Sequence, residues 1–120
     1  MLCPLKERAF ETMLCYYIRA EVPTELADEW TTWMCQDHIP AVLATGCFER
    51  AELWQEMDSV PIATFHIVYY CPRLELFRRY EELYASQLRN EHAQRFHPHI
   101  RLQRQLLVLR WTATRPTEQT

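Results

Sequence analysis

Two periodicities alternate along this chain, and their order predicts its fold. Between Met13 and Val22 every second residue is apolar, whereas Arg19 and Glu21 belong to the other set. A period of two is typical of a strand that is buried on one side. The same reading applies to 62–71, which is rich in β-branched and aromatic residues and is the clearest strand of all. Two further segments are predicted as strands: 47–57 and 100–111.

Helical spacing of apolar residues marks the two remaining segments. The first begins after Pro23 and stops at Gly46, the only glycine of the chain, which predicts a left-handed C-cap. Because proline lacks an N–H and disfavours helix in the residue before it, we expect a kink or brief break at His38–Pro40. The second, 74–96, is predicted as one long amphipathic helix.

The resulting order is β-α-β-β-α-β, which predicts the α+β class and a ferredoxin-like sandwich with an antiparallel sheet. Two helices cover one face of such a sheet. The other face meets water or packs on a second copy of the chain. We expect an N-terminal extension at residues 1–12, the folded domain at residues 13–112 and a polar tail at residues 113–120.

Composition narrows the class of protein. The 120 residues suit one domain, and a net charge of −3 with an isoelectric point near 5.9 argues against a nucleic-acid-binding protein. No apolar run approaches the roughly 20 residues of a membrane span, and the first residues lack the apolar core of a signal peptide. A cytoplasmic location without membrane association is therefore expected.

Metal and cofactor motifs are missing from the sequence. Its five cysteines are widely spaced and odd in number, so we expect reduced thiols in the core rather than disulfides or zinc ligands. His97 and His99 lie close together but lack the spacing of a known metal motif. One glycine cannot supply a phosphate-binding loop. No metal and no cofactor are predicted.

An ordered set of short motifs resembles the DUF4286 family, small bacterial proteins without an assigned function. The resemblance covers roughly Met13 to Trp111. The motifs are Trp30-x-x-Trp33-Met34, His38-Ile39-Pro40, Ala44-Thr45-Gly46-Cys47-Phe48, Thr64-Phe65-x-Ile67-x-Tyr69, Leu88-Arg89-x-Glu91-His92-x-x-Arg95-Phe96 and Arg104-x-Leu106-Leu107.

The resemblance implies a dimeric α+β barrel, in which two ferredoxin-like sheets pack face to face around a space for a small molecule. The wider superfamily contains cofactor-free monooxygenases, cyclases, haem-degrading proteins and effector-binding domains, and fold alone does not choose among them. The family tends to have Gln where Val68 stands and Glu where Val108 stands. We assign both positions to the barrel interior, so any polar role there is lost or relocated.

His38 is the first candidate functional residue. It ends the first long helical stretch, where it serves either as a base at a pocket mouth or as a helix-terminal residue that bonds the last carbonyls.

The second candidate is a group on the sheet face turned away from the helices. Alternation places Arg19, His66 and Tyr70 there, and we assign Arg104 of the last strand to the same face. Such a set binds a small acid or phenol and moves a proton, or forms a polar, partly wet dimer interface.

Three functions remain open from the sequence. The first is a homodimer that binds a small apolar or acidic molecule. The second is an enzyme of the cofactor-free monooxygenase or cyclase type that uses pocket His, Tyr and Arg residues. The third is a purely structural dimerisation module. The cavity volume at the dimer interface separates the third from the others, since ligand sites enclose about 300 Å³ or more.

Overall fold

A four-stranded antiparallel sheet organises the protein. The computed structural model describes residues 12–58 and 60–117. In that part the strands lie in the order β2-β3-β1-β4, as split βαβ units require. Their bounds are β1 Leu14–Pro23, β2 Arg50–Gln55, β3 Ile62–Cys71 and β4 Arg101–Val108.

The sheet has one buried face and one open face. Alternate residues of β1, beginning with Leu14, are buried, and the residues between them are half exposed. Directly paired residues of antiparallel strands share a face, so the register extends this assignment to the whole sheet. The open face carries Cys15, Tyr17, Arg19, Glu21, Arg50, Glu52, Trp54, Thr64, His66, Val68, Tyr70, Arg101, Gln103, Gln105 and Leu107.

Between β1 and β2 the chain stays helical for about six turns. A short 3₁₀ turn, Thr24–Leu26, leads into α1 (Ala27–Trp33), a π-helical turn (Met34–His38) and α2 (Ile39–Ala44). Of the predicted kink or brief break at His38–Pro40, the break does not occur, because His38 and Ile39 both keep right-handed helical dihedral angles. The widened π turn precedes the proline ring, and proline has no N–H to leave unpaired.

Gly46 follows the end of α2 with a φ of 78°, as predicted for a left-handed C-cap residue. The other long helix differs from its prediction. It divides into α3 (Leu74–Leu83) and α4 (Ala85–Phe96), because Tyr84 has a non-helical backbone, with φ −128° and ψ −32°.

Aromatic rings fill the core between the sheet and the helices. Tyr16 of β1 packs against Tyr69 of β3 and against Phe77 and Tyr80 of α3, with ring centroids 5.2 to 5.9 Å apart. Trp30 of α1 is fully buried and lies 4.8 Å from Phe65. Aromatic pairs at these separations contribute beyond their buried area and hold the helices at a defined position over the sheet.

The predicted element order and the ferredoxin-like α+β fold are confirmed, while the element bounds shift by a few residues. Apart from Thr12, the predicted extension lies outside the described residues, as do residues 118–120 of the predicted tail. Cysteine burial is mixed: Cys47 and Cys71 are buried, Cys15 is half exposed and Cys35 is exposed, and Cys3 lies outside the described residues.

Candidate functional site

The sheet separates the five predicted site residues into two groups. Arg19, His66 and Tyr70 lie on the open face, as expected from their alternation. His38 and Arg104 lie on the helix side and line a small cavity there.

The assignment of Arg104 to the open face is wrong. Arg104 pairs with Ile18, whose side chain is buried under the helices, so both point to that side. The same register pairs Val108 with Leu14 and moves it out of the predicted barrel interior. Val68 pairs with Tyr17 and does lie on the open face.

A three-residue relay crosses the open face. The hydroxyl of Tyr17 bonds Nδ1 of His66 at 2.5 Å, and Nε2 of His66 lies 2.7 Å from a carboxylate oxygen of Glu56. Since a carboxylate accepts, Nε2–H donates to Glu56 and Nδ1 accepts from Tyr17 in the neutral ring. The arrangement orients His66 to take the phenolic proton of Tyr17, as a general base does.

A second polar cluster lies on β2 and β3. Glu52 accepts hydrogen bonds from Trp54 (3.2 Å), Tyr70 (3.0 Å) and Arg50 (2.7 Å), and together these donors lower the pKa of its carboxyl. The Arg50 guanidinium also stacks on the Tyr70 ring, 3.7 Å from its centroid. The cluster holds Tyr70 in place and keeps an ionised carboxylate on the open face.

Arg19 forms an ion pair of its own. Its guanidinium donates to Glu21 at 2.6 Å, two residues along β1 on the same face. This hydrogen bond raises the pKa of Arg19 and lowers that of Glu21. Arg19, His66 and Tyr70, which the sequence predicts as one group, therefore belong to three adjoining clusters on one sheet face.

A groove of about 560 Å³ opens beside Tyr70 at the end of the sheet where β4 finishes. Its polar lining comes from Tyr70, Arg50 and Arg110, and its apolar lining from Leu107 and Trp111. Both apolar side chains are solvent-exposed, Leu107 by 46% and Trp111 by 83%. The volume lies within the usual range for small-molecule sites, and the lining suits a molecule with an apolar body and an acidic group.

The helix-side cavity is much smaller, about 20 Å³. His38 and His92 both line it, and burial lowers the pKa of each to about 4. The charge of Arg104 lowers both pKa values further, whereas Glu91 raises that of His38. Both rings are therefore neutral at neutral pH and available as hydrogen-bonding groups inside the protein.

Neither a metal site nor a membrane-spanning helix is found in the described residues. Within residues 12–58 and 60–117, no three His, Cys, Asp or Glu side chains are grouped so as to hold a metal ion. No helix in the same part of the chain is long and apolar enough to cross a bilayer.

Sequence reasoning overlooked several residues that complete these clusters. Glu56 and Glu52 were not among the candidates, although Arg50, Glu52 and Trp54 alternate in β2 with the period of a strand face. Tyr69 and Arg89 were also overlooked as polar groups beside the cavity. Their sequence context is that of core and helix-surface residues, so only the packing reveals them.

Comparison with known proteins identifies the family. No curated protein matches the chain. A crystal structure of a dimeric ferredoxin-like protein from an uncultured marine organism superposes with a TM-score of 0.66 at 6% identity, covering 86% of this chain and 100% of that one. At that identity the likeness concerns the fold alone. The sequence model of a domain of unknown function, DUF4286, matches residues 13–109, and the chain belongs to that family.

Proposed function

We propose that this protein is a homodimer in which two open sheet faces meet, and that it binds a small molecule with an apolar body and an acidic group. The groove beside Tyr70 is the observation that carries the proposal. It combines about 560 Å³ with an apolar floor and two arginines, Arg50 and Arg110. Small-molecule sites are typically apolar concavities in which a few polar groups converge.

The pairing of two copies has separate support. Trp54 on the open face is 61% exposed, and Leu107 on the same face is 46% exposed. Large exposed apolar side chains on one sheet face are typical of an interaction surface, and arginine and aromatic residues, which the same face also carries, are enriched at interfaces. The dimeric state of the ferredoxin-like neighbour agrees with this arrangement.

Native mass spectrometry of the full chain, purified from its own host, tests both parts. We expect a dimer of about 29 kDa, twice the chain mass of 14.5 kDa, that carries additional small-molecule mass. A monomer contradicts the dimer, and a dimer without added mass contradicts the ligand.

Binding of 1-anilinonaphthalene-8-sulfonate, an apolar molecule with one acidic group, tests the groove directly. Trp111→Ala and Arg50→Gln remove an apolar wall and a cation, and each is expected to weaken binding about tenfold. Arg79→Gln is the matched control, because Arg79 is an exposed arginine of α3 outside the groove. Equal binding by all three variants contradicts the groove.

A second candidate function rests on the relay of Tyr17, His66 and Glu56. We propose that it transfers a proton to or from a phenolic substrate, in an enzyme of the cofactor-free monooxygenase or cyclase type. The carboxylate orients the imidazole, which takes the Tyr17 proton while the phenolate oxygen takes one from the substrate. In this reading Arg19 and Tyr70 flank the reacting group.

Oxygen uptake with a panel of phenols and hydroquinones tests this function. We expect Tyr17→Phe and His66→Ala to lose at least about a hundredfold in rate while the dimer mass stays unchanged. Absence of turnover by the wild-type protein, or equal turnover by Tyr17→Phe, contradicts the catalytic relay and leaves the binding function standing.

A further inference from the structure

Unpaired polar atoms gather around the small cavity between the sheet and the helices. In the described part of the chain, three buried side-chain atoms have no hydrogen-bond partner: Nδ1 of His38, the hydroxyl of Tyr69 and Nε of Arg89. All three residues line that one cavity. Tyr69 is only 1% exposed, so solvent at the surface does not satisfy its hydroxyl. Because buried polar groups are almost always bonded, their common location indicates an occupant.

Two neighbouring polar groups of the same cavity, Nη2 of Arg89 and Nε2 of His92, already have hydrogen-bond partners. Arg89 donates through Nη2 to the hydroxyl of Tyr16 at 2.9 Å and to Glu81 at 2.7 Å. His92 accepts the indole N–H of Trp30 at 2.9 Å. These bonds hold the cavity walls in place and leave Nε of Arg89 free for a further partner. Among the described residues, the buried side-chain atoms without a partner are the three named above.

All three atoms act as hydrogen-bond donors, so an occupant of the cavity has to accept hydrogen bonds. Nε of arginine only donates. Burial raises the pKa of Tyr69, so its hydroxyl keeps its proton and donates as well. His38 is neutral, and the tautomer with its proton on Nδ1 supplies a third donor.

The charge around the cavity favours an anion over a water molecule. Arg89 and Arg104 line it, and no Asp or Glu is among its lining residues. Glu81 neutralises Arg89 from the protein surface, whereas Arg104 forms no salt bridge within the described residues. A pocket lined by one sign of charge attracts the opposite sign. A volume of about 20 Å³ restricts the occupant to the size of one water molecule or a slightly larger ion.

We propose that this cavity binds one compact monovalent anion, of the size of a halide, held by Tyr69, Arg89 and His38. The site lies within one protomer on the covered side of the sheet. It needs neither the second copy nor the ligand proposed for the open face.

Thermal unfolding of the full chain in sodium bromide and in sodium gluconate, at equal ionic strength, tests the site. Gluconate is too large for the cavity, so the comparison removes general salt effects. We expect bromide to raise the wild-type Tm by about 3 °C, with saturation. Tyr69→Phe keeps the ring that packs in the core but removes one donor, and should weaken bromide binding about tenfold. Arg89→Lys keeps the charge but removes Nε–H, so it should also weaken bromide binding.

Arg79→Gln is the matched control, since Arg79 is exposed on α3 and does not line the cavity, and it should keep the full bromide effect. Anomalous scattering from crystals grown in bromide supplies a second measurement that does not depend on stability. A bromide peak in the cavity of the wild-type protein, absent from Tyr69→Phe, supports the proposal. Equal Tm values in bromide and gluconate, or an empty or water-filled cavity in those crystals, overturn it.

Discussion

The indole Nε1 of Trp30 donates a hydrogen bond to Nε2 of His92 across 2.9 Å of the protein interior. This contact joins α1 to α4, because the two residues, 62 positions apart in sequence, lie on those helices. Since Nε2 accepts, the neutral His92 ring carries its proton on Nδ1. One hydrogen bond thus links two helices across the core and sets the tautomer of a histidine beside the cavity.

Replacing Trp30 by Phe should cost about 2 to 4 kcal/mol of unfolding free energy. The substitution leaves Nε2 of His92 buried without a donor and also reduces the packed volume. Trp33→Phe is the control, because Trp33 contacts His92 through its ring and has no hydrogen bond to it. Urea unfolding measures the difference. Equal losses in the two variants would show that the hydrogen bond contributes nothing beyond packing.

Acid should destabilise the protein through His38 and His92. Burial lowers their folded-state pKa to about 4, below the ordinary value of 6.5, so the unfolded chain binds protons that the folded chain does not. Their contribution is complete above pH 6.5 and is lost as the pH falls from 6.5 towards 4. We expect about 2 kcal/mol of lost stability per histidine by pH 5.

Urea unfolding at pH 7.5 and at pH 5.0 measures this loss. Both pH values lie above the range in which carboxyl groups titrate. The variant with both His38→Gln and His92→Gln should have a much flatter profile between these pH values. A wild-type profile that is flat as well would contradict the lowered pKa values.

Removing the charge of Arg104 should raise the pKa of both cavity histidines. Arg104 is a cation whose field lowers the pKa of His38 and of His92. In Arg104→Gln that field is gone while burial is retained, so the titration midpoints move up by a fraction of a unit. NMR of the imidazole protons follows each midpoint. Arg101→Gln, also on β4, is a suitable control, since it is not among the cavity-lining residues.

Gly46→Ala should destabilise the protein by about 1 kcal/mol. The added Cβ meets no atom within 4 Å, so the cost comes from the positive φ of 78° alone. Gly46→Asn places a residue that tolerates the left-handed region and should lose less. The midpoints of thermal unfolding rank the three proteins. Equal loss in the two variants would show that strain at φ is not the cause.

Leu107→Glu should convert the proposed dimer into a monomer of 14.5 kDa. It places a charge on the apolar wall of the groove at the open face, where a partner surface would have to desolvate it. Leu83→Glu is the control, because Leu83 is a more exposed leucine, at 61%, on α3 rather than on the sheet. Light scattering across a concentration series gives the mass. A dimer that survives Leu107→Glu does not use this face.

Some errors of the sequence reasoning have a common physical origin. Pro40 and its neighbours predict a kink or brief break, yet the chain stays helical through a π turn that precedes the proline. Conversely, nothing in the 74–96 periodicity marks Tyr84 as a break, yet its backbone leaves the helical dihedral angles between α3 and α4. Local propensity is a weak preference that tertiary contacts override.

Arg104 shows a different kind of error. In β4 the residues Leu102, Leu106 and Val108 share its side of the strand, and all three are apolar. Sequence reasoning places both Arg104 and Val108 of this row on the open face, so the error concerns the orientation of the whole strand and not one residue. The pairing with Ile18 fixes the side of the sheet on which Arg104 lies, since a shift of one residue would turn every side chain of β4 to the other face.

Periodicity in the sequence by itself determined the order of strands and helices, and hence the ferredoxin-like fold, because each element has to bury one apolar face. It also determined that Arg19, His66 and Tyr70 share the open face of the sheet. Only the tertiary structure decided which side chains meet. The relay through Glu56, the groove at Trp111 and the cavity at Tyr69 join residues far apart in the chain, and no local pattern records the distances between them.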